Sequence, residues 1–145
     1  MLIADKRDYR NGYKKHYGLY KKLYNTNADI NSRRLLLAYS VECGLKYLLL
    51  DRWHEDNPKK ILDGVDKQKR EILTTHNLEK ILKELGQQGN FKFVQIKTIH
   101  RDLVTAETYH QLHRYCIKIQ ENELIKEKKF EETLNNVACW IAEGM

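Results

Sequence analysis

Residues 33–50, RRLLLAYSVECGLKYLLL, decide the fold of this chain. Apolar side chains occupy nearly every turn of this stretch, so we predict a helix that is buried on almost all sides. Asn31 or Ser32 is the expected N-cap, and the helix is expected to end near Arg52. A helix of this kind lies at the centre of a helical bundle.

Two charged residues interrupt the apolar stretch, and both bear on the fold. Glu42 and Lys46 stand four positions apart, so their side chains face each other along the helix. A buried carboxylate needs such a partner, and we therefore predict a structural polar pair. The same two charges leave residues 35–50 too short and too polar to span a bilayer, so no membrane association is expected.

A row of tyrosines predicts another long helix, from about Asp5 to Tyr24. The tyrosines recur at spacings of 4, 4, 3 and 4 and share one face: Tyr9, Tyr13, Tyr17, Tyr20 and Tyr24. One interpretation is a stripe that faces the core, with the phenol hydroxyls at its rim. The other is a surface on which the rings stack on bases and the interleaved lysines hold phosphates.

The middle of the chain is predicted to alternate between loops and helices. Residues 54–70 contain the single proline and several lysines, and we expect a loop there. The next helix is expected to have Thr75 as its N-cap and Gly86 as its stop. A further helix is predicted from about Ile99 to Gln120.

The C-terminal part combines a charged run with a final helix. Residues 121–132 are mixed in sign and are expected to be solvated. Apolar residues then recur at spacings of 4, 3 and 4, namely Phe130, Leu134, Val137 and Ile141. We therefore predict an all-α fold, an up-and-down bundle of four to five helices in a single domain that spans residues 1–145.

Composition indicates the compartment and one class of partner. The three cysteines are scattered and the first residues carry no apolar signal segment, so reduced thiols and a cytoplasmic location are expected. The net charge is +6, and residues 1–25 hold seven lysines and arginines against two aspartates. A helix with this charge attracts polyanions, although a solvated helix face gives the same pattern.

Three motifs resemble those of the HEPN superfamily and occur in the family's order. Residues 38–50, AYSVECGLKYLLL, resemble its signature helix with Glu-Cys-x-x-Lys, and residues 75–85, THNLEKILKEL, resemble its Thr-His-Asn-Leu motif. His113-Arg114-Tyr115 is similar to the Arg-Tyr that precedes the last helix of many members. His16, near Lys21, is compatible with the same layout.

The resemblance implies a helical bundle that forms a homodimer and needs no cofactor. Many HEPN proteins are metal-independent endoribonucleases of toxin–antitoxin or antiphage defence systems, which makes RNA the expected substrate. A partner antitoxin or nucleotidyltransferase is expected in such systems. Other members are catalytically silent modules that bind RNA, a nucleotide or a partner protein, and this alternative would use the first helix and residues 59–70.

Catalytic HEPN proteins carry an arginine followed, after four to six residues, by a histidine. Histidine transfers protons near neutral pH, and arginine grips a phosphate through two parallel hydrogen bonds. Two pairs match this spacing, Arg10 with His16 and Arg70 with His76, and both are candidate catalytic pairs. The family keeps its motif near the last helix, where residues 114–120 contain no histidine.

Geometry and charge add detail to these candidates. Six residues along a helix turn Arg10 and His16 about 120° apart, so a shared site would need a helix irregularity near Gly12 or a second subunit. The expected nucleic-acid-binding residues surround the first pair: Arg7, Asn11, Lys14 and Lys15. His110 and His113 have a metal-ligand spacing, but they lack a third ligand, so no metal is expected.

Overall fold

The computed structural model describes residues 2–145, and its helical bundle confirms the predicted fold class. A two-stranded antiparallel sheet pairs Ile96 with Val104 and Lys97 with Leu103. The elements are α1 (Lys6–Leu23), α2 (Ile30–Arg52), α3 (Lys59–Leu62), α4 (Lys67–Thr74), α5 (Leu78–Glu84), β1 (Ile96–Lys97), β2 (Leu103–Val104), α6 (Tyr109–Arg114) and α7 (Leu124–Glu143), with a 3-10 turn at Glu121–Glu123 before α7. None of the helices in the described range is long and apolar enough to cross a membrane.

The first helix begins and ends where the tyrosine row predicts. Asp5 and Asp8 form a reciprocal capping box, which satisfies two backbone N–H groups at its start. The row faces the core, because three of its rings are buried and their hydroxyls donate to α7. The bonds run from Tyr13 to the Ala138 carbonyl (2.6 Å), from Tyr17 to Asn135 Oδ1 (2.7 Å) and from Tyr20 to Glu131 Oε2 (2.7 Å).

The central helix α2 is buried as predicted, but its N-cap is Asp29 and not Asn31 or Ser32. The Asp29 carboxylate accepts hydrogen bonds from both the backbone N–H and the hydroxyl of Ser32. Asn31 lies inside the helix, where its side chain meets His113. The carboxylate of the residue directly before the helix forms this cap, so the helix begins earlier than the apolar pattern suggests.

The three long helices form the centre of the bundle. α1 and α2 are antiparallel, since Lys6 lies 2.7 Å from Asp51 at one end and the Arg33 guanidinium covers the Tyr24 ring at the other. α1 is also antiparallel to α7, as the three tyrosine bonds show. α7 therefore runs parallel to α2, and residues 53–123 carry the chain back across the bundle.

Two segments of residues 53–123 differ from what the sequence predicts. Residues 54–70, expected to be a loop, contain α3 and the start of α4, where Asp66 is the N-cap. Ile61 of α3 and Leu73 of α4 pack on Leu50 of α2, and this apolar contact stabilises the short helices. The N-cap of α5 is Asn77 and not Thr75.

The helix predicted from Ile99 to Gln120 is wrong over most of its length. Only Tyr109–Arg114 is α-helical. The Thr98 hydroxyl accepts hydrogen bonds from the backbone N–H groups of His100 and Asp102, which turns the chain back into β2. Cys116 then takes a positive φ of 51° directly after the helix, which ends the helical path.

The charged run of residues 121–132 is solvated only in part, and most of it lies inside α7; the majority of its residues are exposed as predicted, but three glutamates are not. Glu123, Glu127 and Glu131 are buried, and the last two bind arginines of α2. The apolar row of α7 is confirmed, because its members are fully buried: Phe130, Leu134, Val137 and Ile141. The last helix thus faces the core with two kinds of side chain, one apolar and one acidic.

Candidate functional site

The first predicted catalytic pair does not form a shared site. Arg10 is exposed and lines cavities on one side of α1, whereas the His16 ring lies 6.4 Å from the Tyr39 ring of α2 on another. α1 is a continuous helix through both residues, so the angle of about 120° between them is kept.

The second predicted pair is divided in a similar way. Arg70 is half-buried on α4, and its Nη1 donates to the Gly64 carbonyl over 2.8 Å. His76 lies in the short connection between α4 and α5, and its side chain is 58% exposed. No hydrogen bond or ion pair joins Arg70 to His76 in the structure of residues 2–145.

Glu42 holds His76 instead, which makes the carboxylate of α2 the centre of a polar cluster. His76 Nδ1 donates to Glu42 Oε1 over 2.7 Å. The other oxygen of Glu42 lies 3.5 Å from Nζ of the buried Lys46. Asn77 caps α5 directly after His76, and the cap fixes the backbone that presents the imidazole. His76 Nε2 is left as the ring nitrogen that can exchange a proton.

His110 of α6 completes this cluster. Its ring centroid lies 5.2 Å from that of His76. Burial lowers the pKa of His110 below its usual 6.5, and the nearby His76 and Arg114 lower it further, while Glu42 acts in the opposite direction. His110 is therefore uncharged at neutral pH and can accept a proton. We call Glu42, His76 and His110 the histidine cluster.

An arginine lies on the next turn of α6 after His110. Arg114 Nε and Nη2 donate to the Tyr39 hydroxyl over 3.0 and 2.7 Å. Its guanidinium carbon lies 5.7 Å from the centroid of the Tyr39 ring. Tyr39 precedes Glu42 by three positions on α2, so both side chains lie on one helix face. An exposed cation is thus held beside the histidine cluster.

His113 points the other way and lies inside the protein. Its Nδ1 is 2.9 Å from Asn31 Oδ1, and its Nε2 is 3.8 Å from Glu127 Oε1. Burial, followed by the Arg34 charge, lowers the pKa of His113 to about 3. His110 and His113 therefore diverge. Within residues 2–145, no group of three or more histidine, cysteine or acidic side chains has a geometry that could hold a metal ion.

The arginines of α2 form the most strongly buried polar network. Glu131 accepts hydrogen bonds from Arg34 Nε (2.8 Å) and Arg33 Nη2 (3.0 Å), and Arg34 also pairs with Glu127. Burial alone would raise the pKa of Glu131, but the hydrogen bonds from Arg34 and Tyr20 hold it below its usual 4.5. This network joins α2 to α7 and lies away from solvent, so we assign it a structural role.

The predicted nucleic-acid-binding residues are all on the surface of α1. Each is exposed, and none takes part in an ion pair within the described residues: Arg7, Asn11, Lys14 and Lys15. The charges of Arg7, Lys14 and Lys15, and the amide of Asn11, are therefore free to meet a ligand.

Sequence reasoning missed the contribution of His110, Arg114 and Tyr39 to the site. The His-x-x-His-Arg motif on α6 was visible in the sequence. Its convergence with His76 depends on how α5 and α6 both pack on α2, which no local pattern reveals.

A comparison of the chain with protein-family models, with curated proteins and with solved structures found no match.

Proposed function

We propose that this chain is a HEPN-like endoribonuclease that cleaves RNA without a metal ion, using the histidine cluster. The observation that carries the proposal is the pair of imidazoles, His76 and His110, whose ring centroids are 5.2 Å apart beside the Glu42 carboxylate. Two histidines at this distance can act on two oxygens of one phosphodiester, as general acid–base catalysis requires.

The roles of the two histidines follow from their surroundings. His110 is uncharged at neutral pH because burial and nearby cations lower its pKa, so it can take the proton from the 2′-hydroxyl. His76 Nδ1 is held by Glu42, which leaves Nε2 as the atom that gives a proton to the departing 5′-oxygen. The 2′-oxygen then bonds to phosphorus as the 5′-oxygen leaves. The products are a 2′,3′-cyclic phosphate and a 5′-hydroxyl.

Arg114 supplies the positive charge that the reaction needs. It is exposed, stands four residues after His110 on one helix face, and is held by the Tyr39 hydroxyl. A fixed guanidinium near the phosphate stabilises the negative charge that develops on its oxygens. The acid, the base and the cation all come from one chain, so the proposed site does not require a second subunit.

The test is cleavage of single-stranded RNA in the presence of EDTA, with the product ends identified. His76→Ala and His110→Ala should each lower the rate by about 100-fold or more, since each removes one proton-transfer group. His54→Ala and His100→Ala are matched controls, because both residues are exposed and lie outside the cluster. Cleavage that survives in both cluster variants, or that requires a divalent ion, would refute the proposal.

A further inference from the structure

A groove between α1 and the end of α7 forms a second polar surface on the protein. It encloses a cavity of about 350 Å³ lined by three cations of α1, namely Arg10, Lys14 and Lys21. Tyr17 contributes to its floor, and Ala142 lies on the α7 side. We call this the α1–α7 groove.

The charges of the groove are not neutralised by the protein. No carboxylate lies within 4 Å of the terminal nitrogens of Arg10, Lys14 or Lys21 in the structure of residues 2–145, and no acidic residue lines the cavity. Lys6, by contrast, is tied to Asp51 over 2.7 Å. Unpaired cations gathered along one wall create a positive potential that attracts anions.

Acidic residues mark the two ends of the groove. At the Arg10 end, the adjoining cavity is lined by Asp5 and Asp56. At the Lys21 end, the next cavity along α7 is lined by Glu131 and Glu132. Cations also line these two cavities, namely Lys6 and Arg7 at the first end and Lys128 at the second. The charge is therefore mixed in sign beyond the groove, whereas no acidic side chain lines the groove itself.

The spacing of the cations suits a chain of phosphates. Arg10 and Lys14 are separated by about 6 Å along the helix axis, and Lys14 and Lys21 by about 10 Å. These intervals correspond to one and two steps between phosphates of an extended strand. Gly18 lies between the last two cations, and a Cβ built there would meet no atom within 4 Å. The groove thus has open space where a sugar or base would lie.

We infer that the α1–α7 groove binds the phosphate backbone of single-stranded RNA at a distance from the cleaved bond. This inference rests on the proposed action on RNA. The histidine cluster is built from α2, α6 and the connection before α5, so the groove on α1 and α7 is a separate surface.

The test uses a fluorescent 2′-O-methyl oligouridylate, which has no free 2′-hydroxyl and cannot be cleaved. Fluorescence anisotropy gives its Kd at several salt concentrations. Replacing Arg10, Lys14 and Lys21 together by Ala should raise the Kd by about tenfold or more and flatten its dependence on salt. Lys22→Ala with Lys118→Ala is the matched control, because both lysines are exposed but neither lines the groove.

A second variant separates the shape of the groove from its charge. Gly18→Trp fills the open space, changes no charge, and its side chain starts where the protein leaves room. It should weaken binding by several-fold, while Gly18→Ala should have little effect. Thermal melting followed by circular dichroism checks that each variant is folded.

The inference fails if the control lysines matter as much as the groove cations, if Gly18→Trp binds as tightly as the wild type, or if the probe does not bind. These results are distinct from a failure of the proposed activity. That failure would be cleavage that persists in His76→Ala and His110→Ala, and it would leave the anisotropy result unchanged.

Discussion

The carboxylate of Glu42 accepts a hydrogen bond of 2.7 Å from His76 Nδ1, although the two residues lie 34 positions apart in the chain. The same carboxylate lies 3.5 Å from Lys46 Nζ. Glu42 therefore interacts with two partners, since it pairs with a buried lysine within α2 and orients an exposed imidazole. The two interactions can be tested separately by substitution.

Glu42→Gln should lower the kcat for RNA cleavage by about 10- to 100-fold, because the ring of His76 loses the charge that orients it. Lys46→Met removes the other partner of Glu42 and should affect mainly the melting temperature. Glu79→Gln is the control, since Glu79 is exposed and forms no ion pair within the described residues. Cleavage at the wild-type rate by Glu42→Gln would show that Glu42 serves only the lysine.

The pH dependence of cleavage should reflect His110. A general base must be unprotonated, and the pKa of His110 is lowered by burial, by His76 and by Arg114. The midpoint of the acidic limb of the kcat/KM profile should therefore lie below pH 6.5. Arg114→Met removes one of the lowering charges and should move this limb towards higher pH. A limb at or above pH 6.5 in the wild-type enzyme would argue against His110 as the base.

The stability of the protein should decrease as the pH falls below 6.5. Folded His113 stays uncharged because its pKa is about 3, while in the unfolded chain it takes up a proton near pH 6.5. The unfolded state then binds more protons, so this residue lowers the free energy of unfolding by about 1.4 kcal/mol per pH unit between pH 6.5 and pH 5. Urea titrations of His113→Gln should show a flatter dependence on pH, and those of His100→Gln should not.

The buried ion pairs provide a comparison between adjacent residues. Glu131→Ala leaves Arg34 buried without one of its partners and should lower the free energy of unfolding by about 3–5 kcal/mol. Glu132→Ala alters an exposed neighbour on the same helix and should change it by no more than about 0.5 kcal/mol. Equal effects in chemical denaturation would mean that the network contributes nothing specific to stability.

Two glycines should respond to alanine in opposite ways. A Cβ at Gly44 would lie 2.7 Å from Ile141 Cγ2 and 3.0 Å from Tyr13 Cδ2, so Gly44→Ala should cost about 1–3 kcal/mol of stability. Gly18→Ala meets open space and should stabilise α1 by up to about 1 kcal/mol. Urea midpoints measured side by side would show the difference, and a neutral Gly44→Ala would mean that α1, α2 and α7 can separate at no cost.

The parts of the fold that depend on local periodicity could be predicted from the sequence. The tyrosine row of α1, the apolar run of α2 and the spacing that ends at Ile141 each specify a buried helix face. The burial of glutamates in the charged first half of α7 could not be predicted in this way. Glu131 is buried because Arg34 lies opposite, and nothing in the sequence near Glu131 indicates a partner 97 residues away.

The candidate site was likewise predictable from the sequence only in part. The sequence correctly pairs Glu42 with Lys46, but it pairs His76 with Arg70 and not with Glu42. The contact between His76 and His110 arises because α5 and α6 both pack on α2, and that packing is a property of the whole bundle. Between Ile99 and Gln120, one threonine hydroxyl at Thr98 outweighs the helical pattern.

The parallel arrangement of α2 and α7 has a consequence for synthesis of the protein. Translation adds about 5–20 residues per second, so the 97 residues between Arg34 and Glu131 take about 5–20 s to make. During this interval, α1 and α2 can form a hairpin, but the arginines of α2 have no carboxylates from α7 to meet. The arginines and the apolar side chains of α2 that later contact α7 therefore stay uncovered on the ribosome until the last helix has been made.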